Sequence, residues 1–179
     1  MTDQELIEKL SNEESRNHGF NLLVREYQER VYWHVRKMVI DHDDADDLVQ
    51  DVFIKVWKNI HKFREDSSLF TWIYRIATNE CLNFLKKKRN KFFLPINDVA
   101  GELAHKVDES SHISGEEIQL KLQKALLKLP DKQRLVFNMK YFDEMKFKEI
   151  AKITNTSEGA LKASYHLAVK KIEQNIKLD

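Results

Sequence analysis

The chain of 179 residues is poor in the residues that break helices and make tight turns: it has 4 Gly and 2 Pro. A sandwich or barrel needs a tight turn every few residues, so this scarcity argues against a β-rich fold. A single cysteine, Cys81, excludes an intramolecular disulfide and a cysteine-rich zinc site. No apolar run approaches the roughly 20 residues of a membrane span. Asp3, Glu5 and Glu8 in the first ten residues do not fit a secretory signal. Together these features point to the cytoplasm. There is no Gly-rich phosphate loop, and the seven histidines show no paired ligand spacing on a helix, so no cofactor, metal or catalytic site is expected. His42 stands among Asp41, Asp43 and Asp44, which reads as a solvated turn rather than a cation site. Cys81 falls on an apolar stripe and reads as a core thiol.

What the chain has is charge, evenly balanced and unevenly placed. The net charge is +1, yet residues 92–115 hold 1 basic and 4 acidic side chains while residues 116–179 hold 13 and 9. Within the neutral first part, Asp41–Asp51 contains six aspartates and Lys86–Lys91 contains five cations. An acidic and a basic patch on one domain fit two different partners.

Helical periodicity dominates. Phe20, Leu23, Val24, Tyr27, Val31, Val35 and Met38 recur at steps of three and four and make one apolar stripe. Leu48, Val49, Val52, Phe53, Val56, Trp57 and Ile60 make a second, and Phe70, Ile73, Ile76, Ala77, Cys81 and Phe84 a third. Thr2-Asp3-Gln4-Glu5 is a capping box opening a short first helix. These predict an all-α first domain over 1–91. Residues 92–115, with Pro95, Gly101 and Gly115, predict an acidic linker without regular structure. Ser114-Gly115-Glu116-Glu117 caps the next helix, with Ile118, Leu122, Ala125, Leu126 and Leu129 on one face and Pro130 as the stop. A second run spans Asp131–Phe142.

The C-terminal domain over 116–179 ends in a more specific pattern. Phe147, Ile150, Ala151 and Ile153 predict a short amphipathic helix, and Thr154-Asn155-Thr156 a polar turn in which Asn155 adopts a left-handed conformation at low cost. Thr156 or Ser157 caps the following helix, whose core face is Leu161, Tyr165, Ala168 and Ile172. Two short helices around such a turn describe a helix-turn-helix, or a plain helical hairpin that never meets DNA.

Three stretches taken together decide more. Asp46-Asp47-Leu48-Val49-Gln50-Asp51-Val52-Phe53-Ile54-Lys55-Val56-Trp57 resembles a polymerase-docking helix. Phe63-Arg64-Glu65-Asp66-Ser67 with Phe70-Thr71-Trp72-Ile73-Tyr74-Arg75-Ile76-Ala77-Thr78-Asn79 resembles a −10-reading loop and helix. Leu129-Pro130-Asp131-Lys132-Gln133-Arg134 with Glu149-Ile150-Ala151 resembles the start of a −35-reading domain. In this order the chain resembles an RNA polymerase sigma factor of the extracytoplasmic-function (ECF) group of the sigma-70 family, from about Phe20 to Ile176.

The resemblance implies two helical domains on a flexible linker and a non-enzymatic role in transcription initiation. Its implied partners are RNA polymerase core (β′ clamp helices and β flap), promoter DNA, and an anti-sigma factor that is often membrane-anchored, with no small-molecule substrate. Asp47, Gln50 and Asp51 would meet the clamp helices; they share a helix face, and a carboxylate-amide face suits arginines. Phe63 and Asn79 would form wall and reader of a pocket for a flipped −10 base, with Arg64, Asp66, Ser67 and Ser68 in the loop between. Phe63 also fits as a core residue. Trp72 and Tyr74, two positions apart, point to different faces, so at least one should be buried. Housekeeping members carry paired tryptophans where this chain has Trp72-Ile73, which implies one melting wedge fewer and a stricter promoter demand. Lys86, Lys87 and Arg89, in the run to Lys91, suit duplex phosphates or simply complement a helix C-terminus. For the −35 element the candidates are Ser157, Lys162, Ser164, Tyr165, His166 and Lys170, with Lys171 beyond and Lys146, Lys148 and Thr156 within reach of phosphates. Ala163, Leu167 and Val169 stand where many relatives have arginines, which weakens the expectation of arginine–guanine contacts and favours shape and backbone reading. The alternative is a helix-turn-helix repressor or response-regulator output domain that never docks on polymerase; a third class is a helical protein that binds only another protein.

Overall fold

The computed structural model describes residues 2–64, 66–92 and 117–178. From residue 93 to Glu116, the expected acidic linker and the cap at Ser114 lie outside the described residues. The described residues fold as α1 (Asp3–Ser11), α2 (Arg16–Val39), α3 (His42–Asn59), a 3₁₀ turn (Ile60–Lys62), α4 (Leu69–Phe92), α5 (Glu117–Leu127), α6 (Asp131–Phe137), a π-helical turn (Asn138–Phe142), α7 (Phe147–Thr154) and α8 (Glu158–Leu178). No strand occurs among them. None of these helices is long and apolar enough to cross a membrane.

Each N-terminal stripe becomes one buried face. Leu23, Tyr27, Val31, Val35 and Met38 of α2 meet Leu48, Val52, Phe53 and Val56 of α3 and Leu69, Ile73, Ala77, Cys81 and Leu85 of α4. Phe20, Val24, Val49 and Trp57 lie half-buried at the margin. Caps close the ends: Thr2 and Glu5 form the expected capping box, at 3.2 and 2.9 Å, and the Asp44 N–H donates to Asp41 Oδ1 at 3.0 Å. Between α2 and α3 the chain turns in two residues, Ile40 and Asp41. Ile40 takes φ 67° and ψ −40° so that the Asp41 N–H reaches the Val39 carbonyl at 2.8 Å. A β-branched residue at positive φ is strained, and the flanking helices hold it there.

In the C-terminal domain, Ala125, Leu126 and Leu129 pack with Phe137, Ala168 and Ile172 around a core of their own. The second run, Asp131 to Phe142, divides into α6 and a π turn. The wider turn brings the Asp143 N–H to the Asn138 carbonyl at 3.1 Å and the Met145 N–H to the Met139 carbonyl at 3.0 Å. Asn155 closes α7 in the left-handed conformation, φ 52° and ψ 45°, and Ser157 opens α8 by accepting from the Ala160 N–H at 3.3 Å. The helix-turn-helix geometry is therefore present.

The periodicity does not reveal that the domains share a core. Leu135, Val136, Met139, Met145, Ile150 and Ile153 belong to the same buried cluster as Met38, Ile73, Cys81 and Leu85. α6, the π turn and α7 rest on the faces of α2 and α4 that the first domain leaves open.

Gly19 shows how closely α1 is set. A Cβ there would stand 2.9 Å from Lys9 Cβ and 3.1 Å from the Lys9 carbonyl carbon. Gly19→Ala should therefore destabilise the chain by about 1–3 kcal/mol through overpacking, read as a lower denaturant midpoint; an unchanged midpoint would show that α1 is not docked in this register.

Candidate functional sites

The first site is the edge of α3. Leu48, Val52 and Val56 are buried, which turns Asp47, Gln50 and Asp51 out to solvent. Beside Gln50 runs a groove of about 690 Å³ lined by Phe20, Val24, Val49, Phe53, Ile54 and Trp57 among others, with Ile54 49% exposed. Arg16 lies over the Trp57 ring at 4.5 Å and Phe20 packs edge-on to it at 4.9 Å. The acidic edge was legible from charge and spacing. The adjoining apolar groove was not, because Val49, Phe53 and Trp57 read as stripe residues without the tertiary angle between α2 and α3, and Ile54 lay outside the stripe.

The second site is on α4. Trp72, Ile76 and Asn79 share a face, and with Lys55, Asn59, Lys62 and Glu80 they line a cavity of about 310 Å³. Asn79 is exposed; Lys55 and Glu80 form an ion pair at 2.5 Å across the cavity mouth. Phe63 is not among the lining residues. It packs against Trp72, with ring centroids 5.4 Å apart. Arg64 and Asp66 are exposed and Ser67 is half-buried in the loop. Of the two aromatic residues two positions apart, Tyr74 is the buried one. Its hydroxyl donates to the Arg30 carbonyl at 3.1 Å, and burial pushes its pKa up to about 12, with the Asp143 charge adding to the rise. Ile73, at the second of the paired positions, is buried in the core and cannot serve as a wedge. Burial likewise pushes the Cys81 thiol up to about 12, consistent with a packed, unreactive group.

The basic run divides by face. Lys86 and Lys87 are exposed; Lys88 lies 3.5 Å from Asp44, and Arg89 is paired with Asp131 of the other domain.

The third site is the outer face of α8. Lys162, Ala163, His166, Leu167 and Lys170 form one exposed stripe, preceded by exposed Ser157. Ser164 and Tyr165 lie off it. The Tyr165 ring stacks on Phe137 at 5.7 Å and meets Phe147 edge-on at 5.9 Å, so it is committed to packing between α6, α7 and α8. Its spacing from Leu161 and Ala168 had already put it on the core face.

The domain interface is polar at its rim. Arg134, 2% exposed, donates to the Met38 carbonyl at 2.8 Å and lies 3.9 Å from Asp131. Burial lowers its pKa. Asp143 pairs with Lys37, and His34 Nδ1 is 3.7 Å from its second oxygen, too long for a hydrogen bond. His34 Nε2 in turn stands 3.0 Å from Thr78 Oγ1. Arg75 donates to the Lys152 carbonyl at 2.7 Å. Among the described residues no group of histidine, cysteine and carboxylate side chains has the geometry of a metal site.

Two family models match in chain order: Sigma-70 region 2 over residues 23–91 and Sigma-70, region 4 over residues 119–172. The ECF RNA polymerase sigma factor SigW of Bacillus subtilis (strain 168) is 32% identical, with 83% of each chain covered. The chain is an ECF sigma factor of the sigma-70 family. The ECF RNA polymerase sigma-E factor of Haemophilus influenzae is 28% identical over 98% of this chain and 96% of that one. Among solved structures, CnrH in complex with the cytosolic domain of CnrY has the same fold, with a TM-score of 0.71, 22% identity and coverage of 99% of this chain and 98% of that one. The sigma factor RpoE of Bartonella quintana, solved with the anti-sigma factor NepR, gives a TM-score of 0.66 at 20% identity, covering 89% and 98%. As an ECF sigma factor the protein is a transcription initiation factor that directs polymerase to promoters; sigma factors are non-catalytic.

The interface has a definite pH sign. Burial raises the Asp143 pKa, but the contacts from His34 and Lys37 outweigh it and hold the carboxyl below its ordinary value. Its contribution to the closed arrangement is therefore complete above about pH 4, the ordinary carboxylate range, and is lost as pH falls through the lowered value. Energy transfer between dyes on the two domains should fall over that acid window, before the helical circular dichroism signal does. Asp143→Asn should lower the transfer at neutral pH; an unaltered signal in that variant would remove Asp143 from the interface energetics.

Proposed function

We propose that this sigma factor docks on RNA polymerase core through the exposed α3 edge of Asp47, Gln50 and Asp51, extended by the apolar groove at Ile54 and Trp57. The observation that carries this reading is the α3 edge itself: two carboxylates and an amide held outward by a buried opposite face, next to exposed apolar surface. Arginines on a helical partner would bind the carboxylates bidentately while apolar side chains fill the groove. A repressor would have no use for such an edge.

The same reading assigns residues 1–91 to core binding and −10 recognition and 116–179 to −35 recognition. At the −10 element the Trp72–Asn79 cavity takes the flipped base: Trp72 gives a stacking wall and the Asn79 amide a donor and an acceptor for the Watson–Crick edge. Phe63 supports Trp72; Arg64, Asp66 and Ser67 follow the strand, and Lys86 and Lys87 meet phosphates of the adjoining duplex. At the −35 element Lys162, His166 and Lys170 face the major groove, and Ser157 sits at the helix N-terminus near a phosphate. Ser164 and Tyr165 drop out of the DNA-facing set. The absence of arginine on the stripe favours backbone and shape reading over guanine contacts.

Elements centred about 25 base pairs apart lie on the order of 80 Å apart along the duplex, whereas a domain of this size has a radius of gyration of about 13 Å. Two such domains in contact do not reach both elements, so the closed arrangement opens on the way to the promoter, and opening frees Arg89 from Asp131 for DNA. An anti-sigma factor bound to the closed form would hold it shut. This activity belongs in the cytoplasm, with the polymerase.

The test is to mix the protein with bacterial core polymerase and fragmented genomic DNA and sequence the run-off transcripts. Shared sequences a fixed distance upstream of the starts are the expected result. Asp47→Arg combined with Gln50→Ala should weaken core binding tenfold or more with the fold intact; normal affinity would withdraw the docking assignment. Asn79→Ala should relax base choice at −10 while holoenzyme still assembles, and an unchanged preference would reject the pocket.

A further inference from the structure

The helix α1 lies upstream of the region 2 match, which begins at residue 23. It is nonetheless built firmly into the first domain. Leu6 and Leu10 are buried, Gly19 gives way to Lys9, and Ser15 Oγ donates to the Lys9 carbonyl at 2.9 Å. What α1 delivers is the carboxylate of Asp3. One oxygen accepts from the Tyr27 hydroxyl at 3.1 Å; the other accepts from the backbone N–H of Leu69 at 3.2 Å.

Leu69 is the first residue of α4 and is fully buried. The first turn of any helix leaves its N–H groups without intrahelical partners. At α4 the local cap supplies one acceptor, Ser68 Oγ, to the Thr71 N–H at 3.2 Å. A residue 66 positions earlier in the chain supplies another. The negative charge there also complements the positive end of the helix dipole. Burial, then the Asp3 charge, raises the Tyr27 pKa far above neutrality, so the phenol remains a donor to Asp3 at every working pH. The junction fixed in this way is where the loop from Phe63 to Ser68 enters the helix that carries Trp72 and Asn79.

We propose that Asp3 is a positioning residue for −10 recognition: by capping α4 from the N-terminal helix it sets how the loop and the Trp72–Asn79 cavity are presented to the promoter strand. This rests on the assignment of that cavity to the −10 base. Asp3 itself touches no base; it acts through Leu69 and the α4 N-terminus.

The experiment uses full-length protein assembled with core polymerase, on a promoter taken from the run-off transcripts and carrying 2-aminopurine in the −10 element. Asp3→Ala, Asp3→Asn, Tyr27→Phe and Asn79→Ala are compared for core affinity, thermal midpoint, 2-aminopurine fluorescence at saturating holoenzyme, and transcription from a panel of −10 base substitutions. Asp3→Ala should cut the discrimination between −10 bases about 3- to 10-fold and lower the fluorescence rise, with core affinity unchanged. Asp3→Asn keeps an acceptor for the Leu69 N–H and should restore most of the discrimination. Tyr27→Phe, which leaves the Leu69 bond in place, should lower the thermal midpoint but keep base preference. If Asp3→Ala and Asp3→Asn lower only the midpoint while Asn79→Ala relaxes base preference, the cavity assignment stands and the positioning role is overturned. If Asn79→Ala also leaves preference unchanged, the cavity assignment falls and takes the positioning role with it.

Discussion

The closed form of this sigma factor depends on an apolar cluster that its two domains share and that encloses a buried arginine. Arg134 places a guanidinium where it can donate to the Met38 carbonyl, with Asp131 only at 3.9 Å and its Nε without a partner among the described residues. A buried cation so incompletely satisfied costs desolvation free energy that its contacts only partly return. The apolar cluster shared by Met38, Cys81, Leu85, Val136 and Met139 supplies the attraction; buried Arg134 and the polar rim of Asp131, Arg89, Lys37 and Asp143 fix the angle. Apolar contact provides the attraction and buried charge limits it, which is the balance a reversible interface requires.

That balance orders the surfaces. The α3 edge and the outer stripe of α8 remain exposed while the domains are together, and so does the Trp72–Asn79 face of α4. Arg89 of the basic run is held in the interface by Asp131. A partner that engages the α3 edge therefore needs no prior opening, whereas simultaneous reading of two distant promoter elements does. Docking first and opening second is the sequence of events that this geometry favours.

The fold was legible to the extent that it is one-dimensional. Apolar steps of three and four gave the helices of both domains, and the Asn155 turn and the capping boxes gave their ends, because these signals are local. Four features were illegible for a shared reason. The sharing of a core between domains, the Arg89–Asp131 pair, the apolar groove at Ile54 and the capping of Leu69 by Asp3 each join residues far apart in sequence. Tyr165 shows the other limit. It was assigned both to a core stripe and to DNA, and its aromatic partners Phe137 and Phe147 support the first. The π turn escaped because its residues, Asn138–Phe142, carry an ordinary helical pattern, and only the bond from the Asp143 N–H to the Asn138 carbonyl reveals the wider turn.

Helix α4 is where these separate facts combine. One side, through Ile73, Ala77 and Cys81, is bound into the first domain; a second, through Arg75 and Arg89, meets the C-terminal domain; a third, through Trp72, Ile76 and Asn79, is open. A rigid helix cannot be repositioned on one side without moving the others. Closure of the C-terminal domain therefore bears on the same rod that carries the candidate −10 pocket, and the cap at Leu69 holds the end of that rod that lies nearest the pocket. Release of the interface would then change the freedom of α4 from Arg75 toward its C-terminus, while its N-terminal turn stays anchored by Ser68 and Asp3. A helix pinned at the reading end and released along its length can keep the pocket formed through both states of the interface.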